Sequence, residues 1–130
     1  MASSIGYVRL YAGADGHSHF SDEQFSLVPA ETERAGPVRG TGPKAASHYE
    51  VRVVPPGWER GWGPADRPIL AVYLSGEAEV EASDGEVRRL RAGSVLLAED
   101  STGRGHRARV AGEDPVAVLH IHLPGRVDGS

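Results

Sequence analysis

The sequence predicts an all-β domain closed, or nearly closed, into a barrel, and three observations carry that expectation. Seventeen Gly and nine Pro are scattered between short apolar segments along the 130 residues, a distribution that suits many strands joined by tight turns. Segment after segment alternates apolar and polar side chains with period two, and none shows a helical period. The stretch from Ile69 to Arg109 alone reads as half of a small barrel. It holds an apolar strand closing on Gly76, an alternating strand, a hairpin turn, a short strand, a Gly-led apolar strand and a strand headed by His106.

Taken in order, Tyr7 to Ala12 and His19 to Val28 alternate on either side of the Gly13 to Gly16 turn, which predicts two strands. Pro29 to Ala46 is rich in Pro and Gly and almost free of large apolar side chains, so it is expected to be a long loop or lid without regular structure. His48 to Val54 returns to period two, with Tyr49, Val51 and Val53 on one face and His48, Glu50 and Arg52 on the other. The pattern leaves the inward face open. The ordinary expectation buries the apolar face and leaves the polar one as a solvated stripe, whereas a ligand-enclosing barrel would turn the polar face inward. Pro55 to Asp66 reads as a turn-rich connection whose Trp58 and Trp62 plug the barrel end, with Trp62 the better placed to line a cavity.

Ile69 to Leu74 is a continuous apolar strand. In Glu77 to Ala82 the three Glu form one outward face, and Asp84-Gly85 is a hairpin signal because both residues tolerate positive φ. Glu86 to Leu90, Ser94 to Ala98, the strand led by His106 and Val116 to Leu123 complete about nine strands, followed by a tail over 124–130. A single domain over residues 1–130 is expected, since a chain of this length buries about two thirds of its unfolded surface.

Composition narrows the function. Without Cys, disulfide and thiolate chemistry are excluded, and a metal would have to be held by imidazole and carboxylate. The net charge of −4 lacks the basic surface that phosphate neutralisation requires, so a nucleic acid is not an expected partner and a small molecule is. No apolar run approaches a membrane span, and the first residues lack the basic start and apolar middle of a leader, giving the expectation of a cytoplasmic protein with no membrane contact.

Pro56-Gly57, the segment Leu74-Ser75-Gly76-Glu77, the segment Arg91-Ala92-Gly93-Ser94-Val95 and His106 resemble the ends and centres of the two motifs of the cupin superfamily. Ser18-His19-Phe20, together with the turn Glu99-Asp100-Ser101-Thr102-Gly103-Arg104-Gly105-His106, is similar to a subfamily of small bacterial cupins. The resemblance implies a jelly-roll β-barrel and a homodimer. It also exposes a departure: where metal-binding cupins place two His and a Glu, this chain has Gly63, Pro64, Ala65 and Ile69, so only His106 of the usual ligand set is present.

The reading of the residues therefore favours a metal-free enzyme doing acid–base chemistry on an organic metabolite in the barrel, of isomerase, cyclase, dehydratase or lyase type. His106 is the expected acid or base, because imidazole titrates near neutrality and moves protons either way. His48, Glu50 and His120 are expected to support it, and Glu50 or Glu99 to orient it. Arg52, with its fork of donors, is expected to bind substrate together with Trp62, Tyr49 and Tyr73. His120 and His122 leave the same strand face, so a second reading is a divergent zinc, nickel or iron site formed by His106, His120 and His122. A third is a barrel that binds a small ligand without turnover. His17 and His19 are expected at the surface, with His19, as part of the Ser-His-Phe segment, expected to pack the first strand or make a dimer contact.

Overall fold

The structure, a computed structural model, describes residues 4–30 and 37–125. Among these there are twelve strands and no helix. They are β1 (Gly6–Ala12), β2 (Ser18–Gln24), β3 (Val28–Ala30), β4 (Val38–Gly40), β5 (His48–Val54), β6 (Glu59–Gly63), β7 (Ile69–Ser75), β8 (Glu77–Ala82), β9 (Val87–Arg91), β10 (Val95–Glu99), β11 (His106–Val110) and β12 (Val116–His122). Six strands form one sheet in the order β2-β1-β10-β7-β12-β5, four form a second in the order β6-β11-β8-β9, and β3 pairs with β4. Among the described strands only β1 and β10 pair in parallel; the other pairs are antiparallel.

The two sheets close on a shared core, to which one contributes Leu10, Phe20, Leu96, Val116 and Val118 and the other Ala78, Val80, Leu90 and Val110. Burying a side chain of the Val or Leu class stabilises the fold by about 1.5–3 kcal/mol, so this core dominates stability. Strand β8 shows why the sequence alternates: Ala78, Val80 and Ala82 are buried, while Glu77, Glu79 and Glu81 face outward under Arg89 and Arg91 of β9 and Arg107 and Arg109 of β11.

Three expectations are corrected. The segment after Pro29 does hold regular structure, because β3 and β4 make a small hairpin tied by Arg39 to the Leu27 carbonyl; residues 31–36, and 126–130 of the expected tail, lie outside the described residues. The connection carrying the Trp residues contains β6, which pairs with β11 despite two Gly. The Arg60 guanidinium holds that end together by donating to the carbonyls of Gly63, Pro64 and His106 at 3.0 Å each. Finally, the apolar face of β5 points out: Tyr49 and Val53 are 73% and 66% exposed.

Candidate functional site

Between the sheets lies a cavity of about 400 Å³, within the range of small-molecule sites. Its origin is visible in the chain. A barrel interior is normally filled by side chains, but here Ala65, Ala71, Ala78, Ala98 and Ala108 all line the space and leave it open. The open side is bordered by Glu50 and Arg52 of β5 and by Asp66 and Arg67 of the loop after β6, while Trp58, Tyr73, Val80 and Val116 form the walls.

His106 lies on the wall at the head of β11, 8% exposed. Its Nδ1 is 2.6 Å from Oδ2 of Asp100, a residue with no exposed surface. A carboxylate only accepts, so the imidazole donates from Nδ1 and leaves Nε2 as the nitrogen able to meet a bound molecule. The orienting residue is thus Asp100, not Glu50 or Glu99: Glu99 pairs with Arg9, and Glu50 accepts from His122 at 3.3 Å.

The loop from Asp100 to His106 is fixed by backbone contact and by hydroxyl groups. Gly105 adopts φ +74, and a Cβ there would fall 2.0 Å from the Gly63 backbone; at Gly103, with φ +76, a Cβ would fall 2.6 Å from the Gly16 carbonyl oxygen. The buried Ser18 hydroxyl donates to the Gly105 carbonyl at 2.6 Å and accepts from the Ser83 amide at 2.8 Å, while the Ser83 hydroxyl accepts from the Ser18 amide at 2.7 Å. Of the Ser-His-Phe motif, Ser18 therefore braces the His106 loop, Phe20 enters the core, and His19 bridges Asp15 and Asp84 at the surface, at 3.0 Å each.

The other candidates separate into two groups. His120, His122, Glu50, Arg52 and Tyr73 line the cavity with His106, because β5 and β12 pair with Glu50 opposite His120 and the polar face of β5 turned inward. Burial, then the Arg52 charge, holds His120 below the usual imidazole range; burial pushes the Tyr73 phenol up to about 12. Tyr49 and Trp62 are outside the cavity. Tyr49 lies on the outward face of β5, and Trp62 is 49% exposed under the Arg107 guanidinium, 5.0 Å from its ring, while Trp58 takes the place expected of it. His48 is at the edge, stacked on His122 with ring centroids 4.2 Å apart. Sequence reasoning assigned Asp100, Ser18 and Trp58 no role in the site, although the first two stand in the segments that carry the cupin resemblance.

A metal was tested against the donors. Among the described residues no three His, Asp or Glu side chains are grouped to hold an ion. His106 comes from the four-stranded sheet and His120 and His122 from the six-stranded one, so the three line different walls. The donor set does not fit an ion.

By sequence, neither a protein family nor a curated relative matches the chain. Among solved structures, an uncharacterised conserved protein with a double-stranded β-helix domain from Klebsiella pneumoniae is 26% identical at a TM-score of 0.50, over 60% of this chain and 67% of that one. The chain has the cupin-type double-stranded β-helix fold. Two further matches are a cupin-2 domain protein from Shewanella frigidimarina (15% identity, TM-score 0.47, 77% of this chain and 81% of that one) and Bacillus subtilis oxalate decarboxylase, which has Mn(II) centres (27% identity, TM-score 0.45, 61% of this chain). The chain spans only 22% of the decarboxylase chain, and the shared fold does not carry the reaction with it.

Proposed function

We propose that this cupin-fold protein is a small-molecule enzyme whose His106 acts as general base and then general acid, in a proton-transfer reaction of the isomerase, cyclase, dehydratase or lyase type. The observation that carries the reading is the hydrogen bond from His106 Nδ1 to the fully buried Asp100, made at the wall of a cavity of about 400 Å³. Nε2 takes a proton from bound substrate, Asp100 stabilises the imidazolium that results, and the same nitrogen returns the proton to a different atom or to the leaving group. A positioned base of this kind contributes about 10²–10⁴-fold to rate. The second reading, a binding barrel without turnover, draws on the apolar character of most of the wall.

The test is a screen of metabolites for thermal stabilisation, followed by product analysis for each compound that binds. For a compound turned over, His106→Ala should bind it and lose about 10²–10⁴-fold in kcat, and exhaustive chelation should leave the wild-type rate unchanged. Turnover that survives His106→Ala refutes the acid–base reading; binding without turnover of any compound favours the binding barrel. We also propose a homodimer, supported by the outward row of Tyr49, Val51 and Val53 on edge strand β5; light scattering that gives the monomer mass would refute it.

A further inference from the structure

We propose that the cavity takes a small amphipathic carboxylate, its charged end held at Arg52 and Arg67 on the open rim and its carbon skeleton lying against Trp58, Tyr73 and the valines below. The proposal deepens the acid–base reading, but it stands on different residues.

The charge distribution is the first ground. The chain carries a net charge of −4, yet Arg52, Arg60 and Arg67 line the cavity against two carboxylates, Glu50 and Asp66. A concave site with low-dielectric walls concentrates such a field and draws in ligands of the opposite sign.

The second ground is which of these charges remain available. Arg109, also in the lining, turns its guanidinium to Glu79 on the outer face of the sheet at 2.8 Å. Arg60 spends its donors on backbone carbonyls and holds the end of β6. Arg52 and Arg67, by contrast, are exposed on the rim, and among the described residues neither meets a carboxylate or a carbonyl. Glu50, two residues from Arg52 on the same strand face, turns to His122 instead. Guanidinium groups left open beside an apolar chamber match a carboxylate by two parallel hydrogen bonds. The two acids on the same rim set the ligand's charge low, since a dianion would meet repulsion that a single carboxylate is better able to bear.

The third ground is the polarity gradient. Below the rim the wall passes to Trp58, Tyr73, Val54, Val116 and Val118, which favours an apolar skeleton over a sugar or a polyol. His120 on the same wall is held below the usual imidazole range first by burial and then by the Arg52 charge, against the opposing charge of Glu50.

Naphthalene-2-carboxylate and naphthalene-2-carboxamide share a skeleton and differ in charge, so isothermal titration of the two reads the proposal directly. The carboxylate should bind at least about tenfold more tightly than the amide, a step of about 1.4 kcal/mol. In the Arg52→Gln, Arg67→Gln double variant that preference should fall to within about twofold with the amide affinity unchanged. Neither guanidinium holds a hydrogen bond in the described structure, so both substitutions should leave the fold intact. Ala108→Leu, which fills the cavity, should weaken both probes and so exclude the outer apolar row as their site. Equal affinities in the wild type, a preference that survives the double variant, binding indifferent to Ala108→Leu, or no binding of either probe would each overturn the proposal. His106→Ala should keep the preference, so the anion inference and the acid–base reading fail separately.

Discussion

His106 reaches the cavity from the four-stranded sheet inside a shell of close-packed backbone, whereas His122 reaches it from the last residue of β12, beside the exposed edge strand β5. The first imidazole has a fully buried carboxylate at 2.6 Å and a loop fixed by two positive-φ glycines and a pair of serine hydroxyls. The second has a half-exposed Glu50 at 3.3 Å, a stacked His48, and an Nδ1 that is buried without a partner. Rigidity at the first site comes from residues that have no chemistry of their own; the second rests on a longer hydrogen bond to a half-exposed side chain at the sheet edge. A catalytic imidazole needs the first environment, since a misplacement of about 1 Å costs about 100-fold in rate.

Breaking the shell around His106 should give the largest effect. Gly105→Ala would place a Cβ 2.0 Å from the Gly63 backbone at φ +74, where neither partner is a flexible side-chain end, so a loss of at least about 3 kcal/mol is expected in urea denaturation. Gly57→Ala is the matched control: φ is +86 there but nothing lies within 4 Å, so only the conformational term of about 1–2 kcal/mol should appear. Equal losses at the two positions would show that close packing does not fix the loop.

Next in size is Asp100→Ala, which strands the buried Nδ1–H of His106 and should cost about 1–3 kcal/mol. Glu50→Ala removes the half-exposed partner of His122 and should cost less than about 0.5 kcal/mol. A larger loss at Glu50 than at Asp100 would reverse the ranking of the two sites.

Proton linkage sharpens the contrast through two other histidines whose shifts have opposite signs. The hydrogen bond from His19 to Asp15, helped by the charges of Asp15 and Asp84, holds His19 above its ordinary 6.5. Its stabilising contribution is full below pH 6.5 and disappears as pH rises through the raised folded value. His120 is held below 6.5 by burial and Arg52, so the unfolded chain binds its proton first and stability falls as pH drops from 6.5 toward the lowered folded value. His19→Gln should therefore lower stability relative to wild type mainly on the acid side of 6.5, while His120→Gln should gain relative to wild type over the same range. Urea midpoints measured between pH 5 and pH 8 check both signs.

Much of the scaffold was legible because its strands obey simple local rules. Glu77, Glu79 and Glu81 alternate with Ala78, Val80 and Ala82, and Asp84-Gly85 marks the hairpin that follows. Strand β6 was not legible: Glu59 to Gly63 carries two Gly, and its regular structure depends on pairing with β11 and on the Arg60 bonds to distant carbonyls. Nor was the inward face of β5, since period two separates two faces without saying which is buried. The deciding signal lies elsewhere in the chain, in the inward alanines at 71, 78, 98 and 108 that leave room for a polar wall. Tyr49 and Trp62 were misplaced for related reasons, each being an aromatic residue on the outward side of its own strand. Asp100 was hidden because a carboxylate six residues before a histidine reads as turn chemistry until the intervening Gly103 and Gly105 fold the two together.

The smallest expected effect lies on the outer face of the four-stranded sheet, where Glu79 accepts from Arg89 at 3.1 Å and Arg109 at 2.8 Å. Both arginines are more than half exposed, so each pair gains little over hydration. Glu79 itself is the shielded member, 16% exposed between two cations, and that raises its contribution above the median for surface pairs. Glu79→Gln keeps the shape and the hydrogen-bonding capacity while removing the charge, and should cost about 0.5–1 kcal/mol at low salt and less at 1 M salt, where the screening length falls to about 3 Å.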